Sequence, residues 1–342
     1  MSENQAVKFS DVHITSGFWK KRQEINRSTT VRAVRDRFTE TGRFAAFDMN
    51  YRDGMENKPH IYWDSDVAKW IEGVAYLIQE NPIPELETFV EQLIDKIEQH
   101  EGADGYFNIY FTAIEPSKRW TNRECHELYC AADLIEAAVA WYQATGRKRF
   151  LDLMCKYADY IDKVFQLDQS ASFGTPGHEE IELALIKLYN ITHNERYLTL
   201  SRWFVDQRGI SSKDDRSQQW KAHSHQDHLP CCEQHTAEGH AVRACYLYSA
   251  MADLAYIDHN QSLYDACEKL FDNIMNRRMY ITGGIGSSHL NEAFTVDYDL
   301  PNQTAYAETC AAIALAFFAQ RMLLLKSEAK YADVIERVLY NG

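Results

Sequence analysis

A carboxylate and a thiol stand two positions apart near the end of the sequence, at Glu308 and Cys310. Both groups bind Zn²⁺, so the pair is a candidate for two metal ligands. An alanine-rich helix is predicted to open at Pro301-Asn302, to carry both residues in its first turns, and to be buried on every side. Such groups are costly to bury unless they meet a proton, a metal or a substrate. The short spacing is also found without any metal, so as a motif it is weak.

A second carboxylate, Glu292, follows a glycine-rich loop and lies in the segment Ser-Ser-His-Leu-Asn-Glu-Ala-Phe. Its apolar neighbours Leu290 and Phe294 would provide the setting that suits a general acid. An exposed loop glutamate is an equally good interpretation of the spacing.

Three histidines, His126, His178 and His240, occupy similar places, each where a mostly apolar helix is predicted to begin. Neutral imidazole both donates and accepts hydrogen bonds, which suits the hydroxyl groups of a sugar. Taken singly, each is typical of a core or capping histidine. Three at equivalent positions favour a shared role in binding a substrate.

The adjacent cysteines Cys231 and Cys232 look like a metal site, but they lack the C-x-x-C spacing. Chelation would need remote partners such as His235 or Cys310. We interpret the pair as part of a loop that leads into a helix.

The elements that must position these residues are helices. Five helix hairpins are predicted, and their first helices open near Asp64, His126, His178, His240 and Asn302. Helix hairpins that recur at regular spacing are typical of a helical repeat architecture. An amphipathic helix at about 19–38 precedes them, after an extended arm at 1–19.

This pattern predicts an all-α fold, an (α/α)6 barrel formed by residues 1–342 as a single domain. Five hairpins and one lone helix fall one helix short of twelve, so the last helix of the ring is predicted to be missing. In a closed ring the first helices of the hairpins line the inside, so the candidate residues at their starts, Asp64 and Glu127 included, would converge at one mouth.

Long loops precede these helices, and loops of such length are usually functional. They contain aromatic residues that suit stacking on a sugar, although each alone is more often structural. These residues are Tyr106, Phe107, Trp120 and Trp220.

Composition limits the possible functions. The 342 residues are 45% hydrophobic and 25% charged, with a net charge of −14. This acidic balance argues against a nucleic-acid partner or an anionic membrane surface and favours a small neutral or basic ligand. The sequence has no apolar run long enough for a membrane span and no secretory signal at Met1, so a cytoplasmic protein is predicted. Most of the eight cysteines are predicted to be buried thiols.

The sequence resembles glycoside hydrolase family 127, the β-L-arabinofuranosidase family, over nearly its whole length. The similar segments begin at Val12, Asp64, His126, Gly177, Gly239, Arg278, Phe294 and Glu308. The resemblance implies an (α/α)6 barrel and a zinc-dependent retaining hydrolase that acts on terminal β-L-arabinofuranose. It also implies that Glu292 is the acid/base, that Glu308 and Cys310 are zinc ligands, and that His126, His178 and His240 contact the sugar.

The sequence departs from the family pattern in two ways. The family's nucleophile is a zinc-bound cysteine in a Cys-Cys-Pro motif, and this motif and the β-sandwich domains after it lie beyond the point where this chain stops. The family commonly has Val-Arg where this chain has Cys231-Cys232, so that pair is not assigned the nucleophile's role.

Two alternatives therefore stay open beside an enzyme seen as its barrel portion. One is a carbohydrate-binding remnant without catalysis, and the other is a metal-free (α/α)6 enzyme such as a sugar epimerase with paired histidines. This 342-residue form is expected to bind zinc weakly, not to hydrolyse arabinofuranosides, and to form a homo-oligomer if the face of helix 19–38 is uncovered.

Overall fold

The computed structural model describes residues 4–342, and the first three residues of the predicted arm lie outside it. Within that range the backbone forms helices, connecting loops and isolated bridges, with no strand. The predicted all-α class is confirmed. The helices are α1 (Gly17–Ile25), α2 (Val31–Glu40), α3 (Trp63–Glu80), α4 (Pro84–His100), α5 (Ile109–Ala113), α6 (Glu127–Thr145), α7 (Arg149–Asp162), α8 (Ile181–Thr192), α9 (Glu195–Gln207), α10 (Gln219–Ser224), α11 (Ala241–Ile257), α12 (Gln261–Asn273), α13 (Thr309–Leu325) and α14 (Ala329–Asn341).

The predicted lone helix at 19–38 is present as α1 and α2, joined by a π-helical turn at Asn26–Thr30. The predicted hairpins are the pairs α3/α4, α6/α7, α8/α9, α11/α12 and α13/α14. None of the helices that the structure describes is both long and apolar enough to cross a membrane.

Three of the five hairpin turns end their first helix with a residue in the left-handed conformation, whereas Asn81 and Lys326 in the other two are extended. Gly146, His193 and His259 each follow the first helix and adopt positive φ angles of 72°, 55° and 50°. A residue in this left-handed conformation ends a helix and redirects the chain. In the pair His259-Asn260, the histidine redirects the chain after α11. The side chain of Asn260 then accepts hydrogen bonds from the first amides of α12. These three turns therefore share one backbone geometry.

The chain divides into two compact units. We call Val7–Ser172 with Lys187–Tyr197 the N-terminal unit, and Phe173–Ile186 with Leu198–Gly342 and the N-terminal residues up to Ala6 the C-terminal unit. Each has an alanine-rich helix buried along most of its length, α6 in the first and α11 in the second. The prediction of a single domain over 1–342 stays a prediction.

In the N-terminal unit, two carboxylates at helix starts hold the long loop between α4 and α6. Asp64 Oδ1 accepts the backbone N–H of Ile109 at 2.9 Å, and Glu127 accepts the Tyr106 hydroxyl and the Trp120 N–H, both at 2.7 Å. Burial raises the pKa of Asp64 to about 7 and that of Glu127 to about 7. Asp64 and Glu127 therefore anchor a loop in this structure.

The four aromatic residues predicted to suit stacking on a sugar differ in their exposure to solvent. Tyr106, Phe107 and Trp120 are buried and pack in the interior, whereas Trp220 is exposed. Sugar stacking is therefore excluded as the use of the three buried rings in this conformation. Four of the eight cysteines are buried, so the prediction that most of them are buried is wrong. The buried thiols are those of Cys130, Cys231, Cys245 and Cys267.

Helix α13 begins later than predicted. It starts at Thr309, with Glu308 as its N-cap, rather than at Pro301-Asn302. The prediction that this helix is buried all round is also wrong, because Ile313 is 46% exposed. The stretch 301–308 instead connects a loop to the helix and, as shown below, places a side chain of the candidate site.

Candidate active site

Glu292 lies at the tip of a tight backbone turn in the C-terminal unit. Ser288 and Ala293 exchange both backbone hydrogen bonds, at 3.2 and 3.1 Å, and Asn291 and Glu292 have positive φ angles of 57° and 51°. The turn is pinned from behind by the N–H of Phe294, which donates to Gly239 O at 2.8 Å. This pairing brings Glu292 next to the start of α11.

The apolar setting expected around Glu292 is present on one side only. Phe294 is buried, but Leu290 is 68% exposed, and the Glu292 side chain keeps 42% of its accessible surface. The carboxyl group is therefore reachable from solvent, as a group that must meet a substrate has to be.

Both oxygens of the Glu292 carboxyl group have hydrogen-bond partners. Oε2 lies 2.8 Å from His240 Nε2, and Oε1 accepts the hydroxyl of Tyr306 at 2.9 Å. This bond to Glu292, together with partial burial, raises the pKa of Tyr306 to about 12, so the phenol stays protonated at neutral pH. The sequence analysis did not identify Tyr306, and only its place two residues before Glu308 hinted at a role.

His240, which contacts this carboxyl group, also contacts His178. His240 is the N-cap of α11, and its ring centroid lies 5.6 Å from that of His178 in an edge-to-face arrangement. His178 Nδ1 lies 3.1 Å from the carbonyl oxygen of Glu179. The structure therefore brings together three of the predicted site residues, His178, His240 and Glu292.

The backbone before His240 has room for glycine only. Gly239 has a φ of 70°, and a Cβ atom there would lie 1.9 Å from His223 O. Because atoms cannot approach so closely, any side chain would push His240 and the Glu292 turn away from the segment at His223.

His126 belongs to the N-terminal unit. It precedes α6 with a φ of 60°, its Nδ1 lies 2.7 Å from Glu124 O, and its ring contacts those of Tyr62 and Tyr129. Its convergence with the other two histidines stays a prediction.

The predicted metal ligands flank the start of α13. Glu308 Oε2 is buried without a hydrogen-bond partner, and Cys310 is exposed and not in a disulfide. A bare carboxylate oxygen and an accessible thiol are suitable donors for Zn²⁺. Among residues 4–342, however, no group of three or more His, Cys, Asp or Glu side chains is arranged to hold a metal ion. These two residues fit part of a zinc site, and further ligands would be needed.

A buried cluster of charges supports the segment that carries His178. Arg208 is fully buried, and its Nη1 donates to Pro176 O at 2.9 Å and His225 O at 3.1 Å. Its guanidinium also pairs with the carboxylates of Glu179, Glu182 and Asp227. Burial raises the pKa of Glu179 to about 8 despite the nearby guanidinium. No sequence motif pointed to this cluster, because its members come from three separate segments.

The chain thus combines helix hairpins with a solvent-accessible carboxyl group that contacts an imidazole. Residues 11–342 match the family described as "Beta-L-arabinofuranosidase, GH127 catalytic domain", and the chain belongs to this family. The resemblance seen in the sequence is therefore confirmed.

Known relatives support this assignment. The chain is 36% identical, over 97% of its length, to the non-reducing end β-L-arabinofuranosidase of Bifidobacterium longum subsp. longum, and covers 56% of that protein. It is similar to the crystal structure of a GH127 β-L-arabinofuranosidase from Geobacillus stearothermophilus T6, with 46% identity and a TM-score of 0.91 over 96% of this chain and 55% of the other.

A second solved GH127 β-arabinofuranosidase is 38% identical, with a TM-score of 0.90 over 97% of this chain and 53% of the other. The all-α fold that the resemblance implied is confirmed by these matches. The chain thus spans about half the length of the relatives it matches.

Proposed function

We propose that this chain provides the acid/base and sugar-binding side of a retaining β-L-arabinofuranosidase that releases terminal β-L-arabinofuranose. The observation that carries the proposal is the Glu292 carboxyl group, which is accessible to solvent and held between His240 and Tyr306. The β-L-arabinofuranosidase activity of the relatives supports the choice of sugar.

In this proposal Glu292 donates a proton to the leaving glycosidic oxygen and later accepts one from water. A general acid must lie within hydrogen-bond reach of the oxygen it protonates, and the exposed side of the carboxyl group offers that access. His240 at this carboxyl group and the neighbouring His178 contact the hydroxyl groups of the sugar in this proposal. His126 is proposed to contact the sugar as well.

Glu308 and Cys310 are proposed as two ligands of a zinc ion. Zinc, when bound, would lower the pKa of a coordinated thiol and so favour a thiolate nucleophile in place of the second carboxylate of most retaining glycosidases. The bare Oε2 of Glu308 is the feature of this chain that supports the proposal.

Calorimetric titration with a sulfur-linked β-L-arabinofuranoside, which resists hydrolysis, tests the proposal on the chain itself. We expect saturable binding that is lost in His178→Ala and kept in His13→Ala, a control on an exposed histidine. In a turnover-competent form of the enzyme, hydrolysis of an aryl β-L-arabinofuranoside, with the anomer of the product followed by NMR, tests the reaction and its stereochemistry.

The outcome that would reject the proposal is an absence of binding to any arabinofuranoside. Conversion of a free sugar into its epimer without added metal would instead support the epimerase alternative.

A further inference from the structure

The segments that carry Tyr306 and Glu292 are joined by backbone hydrogen bonds. The N–H groups of Tyr306 and Ala307 donate to Ser287 O at 3.2 Å and to Gly286 O at 2.9 Å. Ser288, which follows Ser287 in the sequence, begins the turn that carries Glu292. The two side chains therefore meet because their backbones are paired, and the placement of Tyr306 does not depend on its hydroxyl group.

The hydrogen-bond partners of the two Glu292 oxygens differ in whether they can only donate or can also accept a hydrogen bond. His240 Nδ1 accepts the backbone N–H of Arg243 at 3.5 Å, in the capping position of α11. We assign the ring proton to Nε2 on this basis, so that His240 donates to Glu292 Oε2. A proton on Oε2 would point at this donor, which makes Oε2 the accepting oxygen.

Tyr306 has no such restriction. A phenol can donate one hydrogen bond and also accept, and its hydroxyl hydrogen rotates to suit the partner. It donates to Oε1 when Glu292 is ionised, and when Oε1 carries a proton the hydroxyl hydrogen rotates away while the phenol oxygen stays beside Oε1. Oε1 is therefore the oxygen that can hold a proton without two donors facing each other.

We propose that Tyr306 is a positioning residue for Glu292 and that the proton which Glu292 transfers resides on Oε1, the oxygen that Tyr306 holds. This inference rests on the proposed acid/base function of Glu292. Tyr306 needs no contact with the sugar for this role, because it acts on the orientation of the carboxyl group.

The contact is tested in the chain itself by NMR with glutamate ¹³C-labelled at the side-chain carboxyl. The Glu292 signal is the one that disappears in Glu292→Gln. We expect Tyr306→Phe to displace this signal more than that of any other glutamate. Tyr298→Phe is the matched control, since Tyr298 lies in the same loop region but is 72% exposed and has no hydrogen bond to Glu292 in the structure. An unmoved Glu292 signal in Tyr306→Phe would overturn the inference.

Kinetics of the same variants, in a turnover-competent form of the enzyme, separate positioning from general structural damage. For a substrate with a poor leaving group, Tyr306→Phe is expected to lower kcat about threefold to tenfold, the usual range for one hydrogen bond, with KM nearly unchanged. For an activated aryl leaving group, which needs little protonation, the loss is expected to be small.

The Glu292→Gln variant separates a failure of the proposed function from a failure of the role of Tyr306. If Glu292→Gln leaves turnover unchanged, the proposed function of Glu292 fails. If Glu292→Gln is slow but Tyr306→Phe is as fast as wild type on both substrates, only the role of Tyr306 fails.

Discussion

Glu292 is accessible at its tip yet fixed at both oxygens by side chains from two other segments of the chain. A carboxyl group in this arrangement keeps one orientation while a substrate approaches. General acid–base assistance depends on that orientation as well as on reach.

Substituting Glu292 by glutamine keeps the size and removes the transferable proton. In a turnover-competent form we expect kcat to fall about 10²–10⁴-fold on substrates with poor leaving groups, with sugar binding little changed. Glu233→Gln, on an exposed residue of a short 3-10 helix, is the control. A loss of under tenfold on such substrates would remove Glu292 from the acid/base role.

The sequence was enough to identify the candidate site residues that lie in recognisable motifs. It was not enough to identify the side chains that contact them. Glu292, His178 and His240 were identified and lie together in the structure. Tyr306 was not, because its contact with Glu292 depends on backbone pairing between 286–287 and 306–307, which no local pattern indicates.

The hairpin turns show how individual elements are specified. The side chain of Asn260 accepts hydrogen bonds from the amides of Ser262 and Leu263 at 3.1 and 3.2 Å and so caps α12. Asn260→Ala is expected to lower the free energy of unfolding by about 1 kcal/mol, measured by urea denaturation. Ser16→Ala should have little effect, because Ser16 precedes α1 without a capping hydrogen bond. Equal losses in both variants would contradict this explanation.

Gly239 tests the close packing behind the candidate site. Gly239→Ala is expected to cost several kcal/mol, because a Cβ atom would overlap His223 O in addition to the strain of the positive φ. Gly54→Ala, at a φ of 92° with open space around it, isolates the strain alone and should cost about 1 kcal/mol. Urea denaturation of both variants measures the difference, and similar losses would show that overlap is unimportant.

The elements themselves were largely predictable, since apolar periodicity and turn residues located the five hairpins. The start of α13 was not. Pro301-Asn302 is a good local signal for a helix start, but the amides of Tyr306 and Ala307 bond to another loop and so delay the helix to Thr309. A tertiary contact overrode the local signal.

For the whole molecule, buried carboxylates make stability depend on pH. The pKa of Asp64 rises from 3.8 to about 7 in the folded chain, chiefly through burial. Between these values the folded state holds a proton that the unfolded state has released. The stabilisation is therefore fully present below pH 4 and is lost as the pH rises through 7.

Asp64→Asn should make this dependence shallower. The variant keeps an oxygen to accept the Ile109 amide and has no proton to lose. Between pH 5 and 7 its unfolding free energy should fall less steeply than that of wild type, by up to about 1.4 kcal/mol per pH unit. Urea denaturation across this range is the measurement. Asp11→Asn, on an exposed residue, should keep the wild-type slope, and an unchanged slope in Asp64→Asn would refute the assignment.

The buried Arg208 should also affect local unfolding of the chain around it. One guanidinium ties the segments at Pro176 and His225 together and pairs with carboxylates from both sides. Neither segment can detach without leaving charges unpaired in the interior. The two segments should therefore unfold together as a single cooperative unit. In hydrogen exchange, the amides of Thr175 and Asp227, which donate to Asp214 and Ala222, should therefore exchange with the same opening free energy.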